Sequence, residues 1–353
     1  MKKVGIALLG LVLVAAVLYS VRAPLSTALA GRAMERAMST DTIGALPDGL
    51  HVVLCGAGGP LPDPARSGPC VAVIAGTQLF IVDAGTGGAR NLGPLGYPVG
   101  RVDAVFLTHF HSDHIDGLGE LATLRWVNLA NTKPLPVHGP EGVADVVAGF
   151  DSAYSRDTLY RHEHHGDTVA PLAGSGMNAI AHAQPADGEA PIIYDEGDLS
   201  VQMIRVKHSP VDPAVAYLFT YKDRSVLISG DTSKSANLQK FAQGVDLLVH
   251  EGLSPVLVGE MNKAATRTGN TAVAKITVDI PEYHTTPVEA AEIARDADVG
   301  HLLYYHVVPP TPLPGLSAAW LTGVDDVFAR YTLGEDGTSF SLPAGSNEIV
   351  QID

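Results

Sequence analysis

The stretch Thr108-His109-Phe110-His111-Ser112-Asp113-His114 follows the apolar run Ala104-Val105-Phe106-Leu107 and precedes a segment that opens Ile115-Asp116-Gly117-Leu118. Three imidazoles and a carboxylate packed into one turn cannot all enter an apolar core, because each unpaired polar group there costs on the order of 1–3 kcal/mol. They are natural donors for a borderline divalent metal. In extended geometry His109 and His111 face the same side, while Asp113 and His114 lie beyond the bend. One turn therefore offers ligands to two neighbouring ions.

Outward from this turn, more polar residues stand at the carboxyl ends of apolar runs. His208 closes Val206-Lys207, Asp231 follows Leu227-Ile228-Ser229-Gly230, and His306 closes Leu303-Tyr304-Tyr305. Together with the turn they make a set of donors large enough for two metals. Short β-type runs (51–55, 70–75, 78–82, 103–108, 199–207, 215–221, 225–229, 246–250 and 301–306) alternate with helical stretches (115–127, 142–154, 236–243, 287–296 and 317–331). Several runs are continuously apolar, the mark of strands buried on both faces, and the alternation predicts an α/β fold with sheets inside and helices outside. Residues 155–198, rich in Gly, Pro, His and acidic side chains, read as an irregular insertion or lid, and His162, His164 and His165 within it as solvated. His138 receives no role, and Trp126 and Trp320 read as packing residues.

Composition bounds the partners. Apolar residues make 46% of the 353 and charged ones 17%, enough to fill a core. Twenty-three basic against thirty-eight acidic residues leave a net charge of −15. Phosphate affinity rests on Lys and Arg, so no nucleic-acid partner is expected. Cys55 and Cys70 are too few for a thiolate cluster; they are either a disulfide pair or two buried thiols. At the amino terminus Lys2-Lys3 precedes the apolar run 4–18, with a small-x-small site at Ala28-Leu29-Ala30. Residues 1–30 are a cleaved signal peptide or a retained membrane anchor, 31–46 a linker, and 47–353 the working domain. Either reading exports the body to the periplasm or beyond, with membrane contact only through the amino-terminal segment.

The 109–114 motif, the later His208, Asp231 and His306, and the early Phe80-Ile81-Val82-Asp83-Ala84-Gly85 resemble the metallo-β-lactamase-fold hydrolases over roughly residues 50–350. The resemblance implies a four-layer αββα sandwich. It also implies two divalent metals, Zn by default with Mn, Fe or Co as alternatives: His109, His111 and His208 on the first, Asp113, His114 and His306 on the second, Asp231 bridging. Asp83 either supports that site from behind or stabilises its own turn.

Two further segments resemble the ribonuclease Z-like branch, which also holds arylsulfatase-like and phosphodiesterase members. Val249-His250-Glu251-Gly252 ends a strand, and Tyr283-His284-Thr285-Thr286-Pro287 opens a helix with Thr as N-cap, Pro at N1 and Glu289 at N3. By that resemblance Glu251 orients and charges His284, which assists the leaving group, and Asp113 orients a hydroxide bridging the metals. Ribonuclease Z enzymes carry a tRNA-gripping arm between the third motif and the bridging Asp, and here only a hairpin separates His208 from Asp231. With the acidic charge, this leads to the expectation of an exported dinuclear metal hydrolase of small-molecule esters, aryl sulfate or phosphodiester in type. A lactonase, a non-catalytic metal-binding protein and a ribonuclease Z-type endonuclease are the alternatives. A homodimer is compatible with the sequence.

Overall fold

The computed structural model describes residues 2–352, with the side chains of residues 2–18 and 37 outside that description. The chain forms two compact units that divide between Ala45 and Leu46. The first is a helix, Lys2–Ser39, followed by one helical turn, Thr42–Ala45. The apolar run 4–18, expected as signal or anchor, falls on side chains outside the described residues. Among the described residues no helix is long and apolar enough to cross a membrane.

In the second unit the strands are, in chain order, β1 (Gly49–Gly56), β2 (Cys70–Ala75), β3 (Gln78–Val82), β4 (Val102–Phe106), β5 (Leu135–Pro140), β6 (Met177–His182), β7 (Ile192–Glu196), β8 (Leu199–Arg205), β9 (Val215–Tyr221), β10 (Arg224–Ile228), β11 (Leu247–Leu253), β12 (His301–Val308), β13 (Tyr331–Leu333), β14 (Ser339–Pro343) and β15 (Val350–Ile352). They form two sheets, ordered β15-β14-β1-β2-β3-β4-β5-β6 and β13-β12-β11-β10-β9-β8-β7. Strands β3 to β6 run parallel, as do β10 to β13. Parallel neighbours require crossovers, and those crossovers supply the helices on the outer faces.

Alternation explains the layering. Leu50, Val52 and Leu54 of β1 point at the second sheet, where Val201, Met203, Tyr217 and Phe219 meet them in one buried cluster. Phe106, at the end of β4, lies edge-on to Tyr217 and Phe219 with ring centroids 5.4 Å away, so truncating it to Ala would cost about 3–5 kcal/mol. On the outer face of the second sheet, Ala290, Ala291, Ile293 and Ala294 of the helix Pro287–Asp296 pack with Leu248, Leu302 and Trp320. The architecture is the αββα sandwich that the resemblance implies.

Three expectations change. Residues 155–198 are not irregular: the helix expected to stop at residue 154 runs Val143–His165, and β6 and β7 follow. Only Val143 and Val147 of this helix are buried, so its second half carries no apolar stripe to read, and β6 and β7 are edge strands whose half-exposed faces blur alternation. The helix expected over 317–331 is a single short one, Leu316–Trp320, capped at Leu321; turns that include Gly323 at φ +87° follow, and the chain reaches β13 instead. Cys55 and Cys70 are joined as a disulfide across β1 and β2, which settles the two readings in favour of the pair.

Candidate metal centre

Parallel strands in both sheets deliver their carboxyl ends to one rim. Beyond β4 the chain enters the turn 107–114; beyond β10 it reaches Asp231; β11 carries Glu251, and β12 carries His306. His306 reaches the rim through a bulge: Glu251 pairs with Tyr305 and Gly252 with Val307, leaving His306 out of register at φ +46°. A bulge re-aims a side chain in this way, and here it turns an imidazole of the sheet into the site.

The turn is held from below by Asp83. Its carboxylate accepts from Thr108 N–H and Thr108 Oγ1–H at 2.8 Å each, and from His114 Nδ1–H at 2.8 Å. Asp83 is fully buried and sits at φ +58°, a conformation that Asp tolerates better than most residues. Of the two readings, support of the site fits this geometry, because the bond to Nδ1 leaves His114 Nε2 aimed outward. His208 is oriented likewise, its Nδ1–H donating to Tyr283 O at 2.9 Å.

The donors form two overlapping groups. His111 Nδ1 lies 3.1 Å from His109 Nε2 and 3.3 Å from His208 Nε2, and Asp231 Oδ2 lies 3.7 Å from both His109 Nε2 and His208 Nε2. On the other side Asp113 Oδ2 is 3.6 Å from His114 Nε2 and 3.3 Å from His306 Nε2; Asp231 Oδ2 is 3.4 Å and 3.3 Å from the same two nitrogens. Asp231 Oδ2 thus belongs to both groups. Donors around a tetrahedral ion with bonds of ~2.0–2.1 Å stand about 3.3–3.4 Å apart. The separations, 3.1–3.7 Å in the first group and 3.3–3.6 Å in the second, lie around that value. His114 Nε2 and Asp231 Oδ1 are buried without a hydrogen-bond partner among the described residues, a cost that a cation would relieve. The set fits divalent metal, and all seven expected ligands are in it.

Electrostatics agree for the first group. Burial, and secondarily the neighbouring His114, holds His109 well below the usual imidazole range; burial also lowers His111 and His208. Lowered basicity favours the neutral form that a ligand imidazole needs. Burial opposes a charge on His114, yet the Asp231 and Asp83 carboxylates override it and raise that imidazole well above its ordinary value. For Asp231, burial is overridden by the His306 and His114 imidazoles, and its carboxyl is held well down.

Glu251 and His284 lie beside this centre. Glu251 Oε1 accepts from His284 Nδ1–H at 3.0 Å, Thr285 N–H at 3.0 Å and Thr232 N–H at 3.2 Å. His284 precedes the helix Pro287–Asp296, whose Thr286–Glu289 capping box is formed as expected. Burial would depress its pKa; Glu251 outweighs that and raises it to about 9. The donor atoms of His284, Asp231 and His306 lie within 4.8 Å of one another, so the imidazolium borders the metal groups.

Other histidines stay apart. His162, His164 and His165 occupy the last turn of the exposed 143–165 helix. His138 stacks on Phe106 and bonds His182 at 3.1 Å. Sequence alone does not single out Tyr283, whose carbonyl aims His208, or the helices Pro255–Thr268 and Thr271–Asp279 that precede it. Ser254-Pro255, an N-cap followed by Pro at N1, is the available signal for the first helix.

Residues 63–250 match the family model of the metallo-beta-lactamase superfamily. The chain is 34% identical over 289 residues to Ribonuclease Z of Mycobacterium sp. (strain KMS), covering 81% of this chain and 94% of the relative. It is 33% identical over 290 residues to Ribonuclease Z of Mycolicibacterium paratuberculosis (strain ATCC BAA-968 / K-10), covering 81% and 96%. Among solved structures, the metallo-beta-lactamase fold protein YhfI from Bacillus subtilis superposes with TM-score 0.57 at 18% identity, covering 83% of this chain and 98% of that one. Human short-form tRNase Z superposes with TM-score 0.57 at 21% identity, covering 83% and 99%.

The relatives overturn two expectations: the hydrolase of small aryl sulfate or phosphodiester esters, and the exclusion of nucleic acid as partner. The physical reason is that net charge is a sum, not a map. Charges further than ~8–10 Å from a bound group are largely screened, so a chain of −15 is still able to hold a polyanion at a local cationic centre. The missing arm likewise describes a surface and leaves the chemistry of the site unchanged. The chain is a metal-dependent hydrolase and belongs to the metallo-beta-lactamase superfamily, in the family of the curated ribonuclease Z proteins.

Proposed function

We propose that the chain is a zinc-dependent endoribonuclease of the ribonuclease Z type, cutting a phosphodiester bond in precursor tRNA. The observation that carries this reading is Asp231 Oδ2, 3.3–3.7 Å from four imidazole nitrogens drawn from both donor groups. One carboxylate oxygen so placed is what a pair of ions held side by side requires. His109, His111, His208 and Asp231 would hold one, and Asp113, His114, His306 and Asp231 the other. Bound there, divalent cations supply charge for a phosphoryl oxygen and water of lowered pKa.

The chain's own residues do the rest. Asp113, partly exposed at the mouth, accepts the proton of the attacking water and orients it. His284, charged by Glu251, hands its Nε2 proton to the departing ribose oxygen. Thr285 N–H and Thr232 N–H fix Glu251, so the imidazolium does not turn away.

The test is incubation of zinc-loaded, full-length protein with a precursor tRNA bearing a 3′ extension. A single endonucleolytic cut is expected. Protein with full metal content that leaves the precursor intact would remove the reading.

A further inference from the structure

Beside His111 and His208 the metal centre opens into a cleft of about 400 Å³, walled by Pro210, Val211, Ile276 and Tyr283. Its rim carries Glu282 and Asp279, the latter ion-paired with Lys275, and among the described residues no Lys or Arg lines the cleft itself. Such a space offers phosphate no cation of its own, and its apolar wall suits an uncharged, flat group joined to whatever the neighbouring metal centre grips. In an RNA chain that group is a base.

Tyr283 is the flat surface available. Its ring lies edge-on to His208 at 5.3 Å between centroids and tilted by 48° to His284 at 5.0 Å. The residue is half-buried, and Ile276, on the helix just before it, is 58% exposed. An isoleucine that exposed beside a tyrosine at an active-site mouth is an apolar surface without a partner among the described residues. The platform is also rigidly registered to the chemistry, because Tyr283 O accepts the Nδ1–H of His208. A base on this ring lies next to His208, a ligand of the proposed metal, whose ring centroid is 5.3 Å from that of Tyr283.

We infer that Tyr283, with Ile276 and Val211, is a nucleobase platform that seats the base adjoining the scissile phosphate. The inference rests on the ribonuclease reading and names the part of the substrate that this side of the site recognises. Stacking on an aromatic ring tolerates every base, so the platform adds affinity and positioning rather than sequence choice.

The experiment compares adenosine 5′-monophosphate with ribose 5-phosphate, which share the phosphate and differ in the base, on zinc-loaded full-length protein. Dissociation constants are measured for the wild type, Tyr283→Phe, Tyr283→Leu and Tyr283→Ala, with zinc content determined for each. The wild type is expected to prefer the nucleotide by about tenfold or more. Tyr283→Phe keeps that preference, while Tyr283→Leu and Tyr283→Ala lose most of it at unchanged zinc content. An absent preference in the wild type, or one that survives in Tyr283→Leu, overturns the platform. So does loss of zinc in both the Leu and Ala variants, which would make Tyr283 a support for His208. Precursor tRNA left uncut while the base preference stands would remove the ribonuclease reading and leave the platform.

Discussion

Glu251 Oε1 and His284 Nδ1 stand 3.0 Å apart, both side chains out of solvent, and the contact makes His284 a cation next to Asp231 and His306. A charged imidazole there serves as an acid without being needed to hold metal. His284→Ala is expected to retain zinc and to lower the single-turnover rate of RNA cleavage by about 10²–10⁴. Glu251→Gln should fall between, since it keeps a hydrogen bond and removes the charge. Equal rates in His284→Ala and wild type, at equal zinc content, would exclude the acid role.

Metal itself is expected to hold the rim together. Seven donors from separate segments of both sheets meet there, and among the described residues His114 Nε2 and Asp231 Oδ1 have no hydrogen-bond partner. Anything bound only by the folded state stabilises by mass action, about 2.7 kcal/mol at a free concentration one hundred times its Kd. Zinc should therefore raise the melting temperature of chelator-stripped protein, and His111→Ala should shrink the rise. A melting curve indifferent to zinc would count against the centre.

Gly85 is where three segments touch. A Cβ there would fall 2.4 Å from Asp113 O and 2.4 Å from Gly68 C, both backbone atoms that cannot swing aside. Gly85→Ala should push the 112–114 turn outward and weaken zinc binding at Asp113, His114 and His306 before the other group. The control is Gly149, inside the 143–165 helix with nothing within 4 Å, where Ala should stabilise by about 0.5–1 kcal/mol. Equal zinc stoichiometry in Gly85→Ala and wild type would disprove the coupling.

Much of this centre is readable from sequence for one reason: its donors end apolar strands, so His208, Asp231 and His306 stand out against Val206, Ile228 and Tyr305. What holds them is harder to read. Asp83 supports His114 across a separation of 31 residues, and no local pattern announces that bond. The second half of the 143–165 helix has no buried side to betray its period, and Tyr283 contributes a backbone carbonyl, which has no sequence signature. The substrate is misread from composition because a whole-chain charge of −15 says nothing of how charge is arranged within a few ångströms of Asp231.

His138 predicts an acid-side loss of stability away from the metal. Burial, then the neighbouring His182 imidazole, lowers its pKa from 6.5 to about 4. Between those values the unfolded chain binds a proton that the folded chain refuses, so stability falls as pH drops from about 6.5 toward 4 and is fully present above. The slope is at most ~1.4 kcal/mol per pH unit from this group. His301, likewise lowered to about 4 by burial, contributes alongside it. Urea midpoints of His138→Phe, which keeps a ring against Phe106, should decline less steeply over that range. Parallel curves for variant and wild type would show that the imidazole does not titrate as described.

The Cys55–Cys70 bond closes a loop of 15 residues whose arms are also clamped by one carboxylate. Asp336 accepts from Ala57 N–H at 2.9 Å, Ser67 N–H at 2.8 Å and Asn91 Nδ2–H at 2.8 Å, so both arms are tied without the sulfurs. The loop walls a cleft of about 700 Å³ that reaches Asp113. Covalent closure of such a loop contributes about 3 kcal/mol, mostly by restricting the unfolded chain. Cys55→Ser with Cys70→Ser is therefore expected to lower the melting temperature by several degrees while RNA cleavage persists. Adding Asp336→Ala should release both arms and reduce zinc at the Asp113 side. If the serine pair alone reduces zinc there, the disulfide rather than Asp336 is what holds the cleft wall in place.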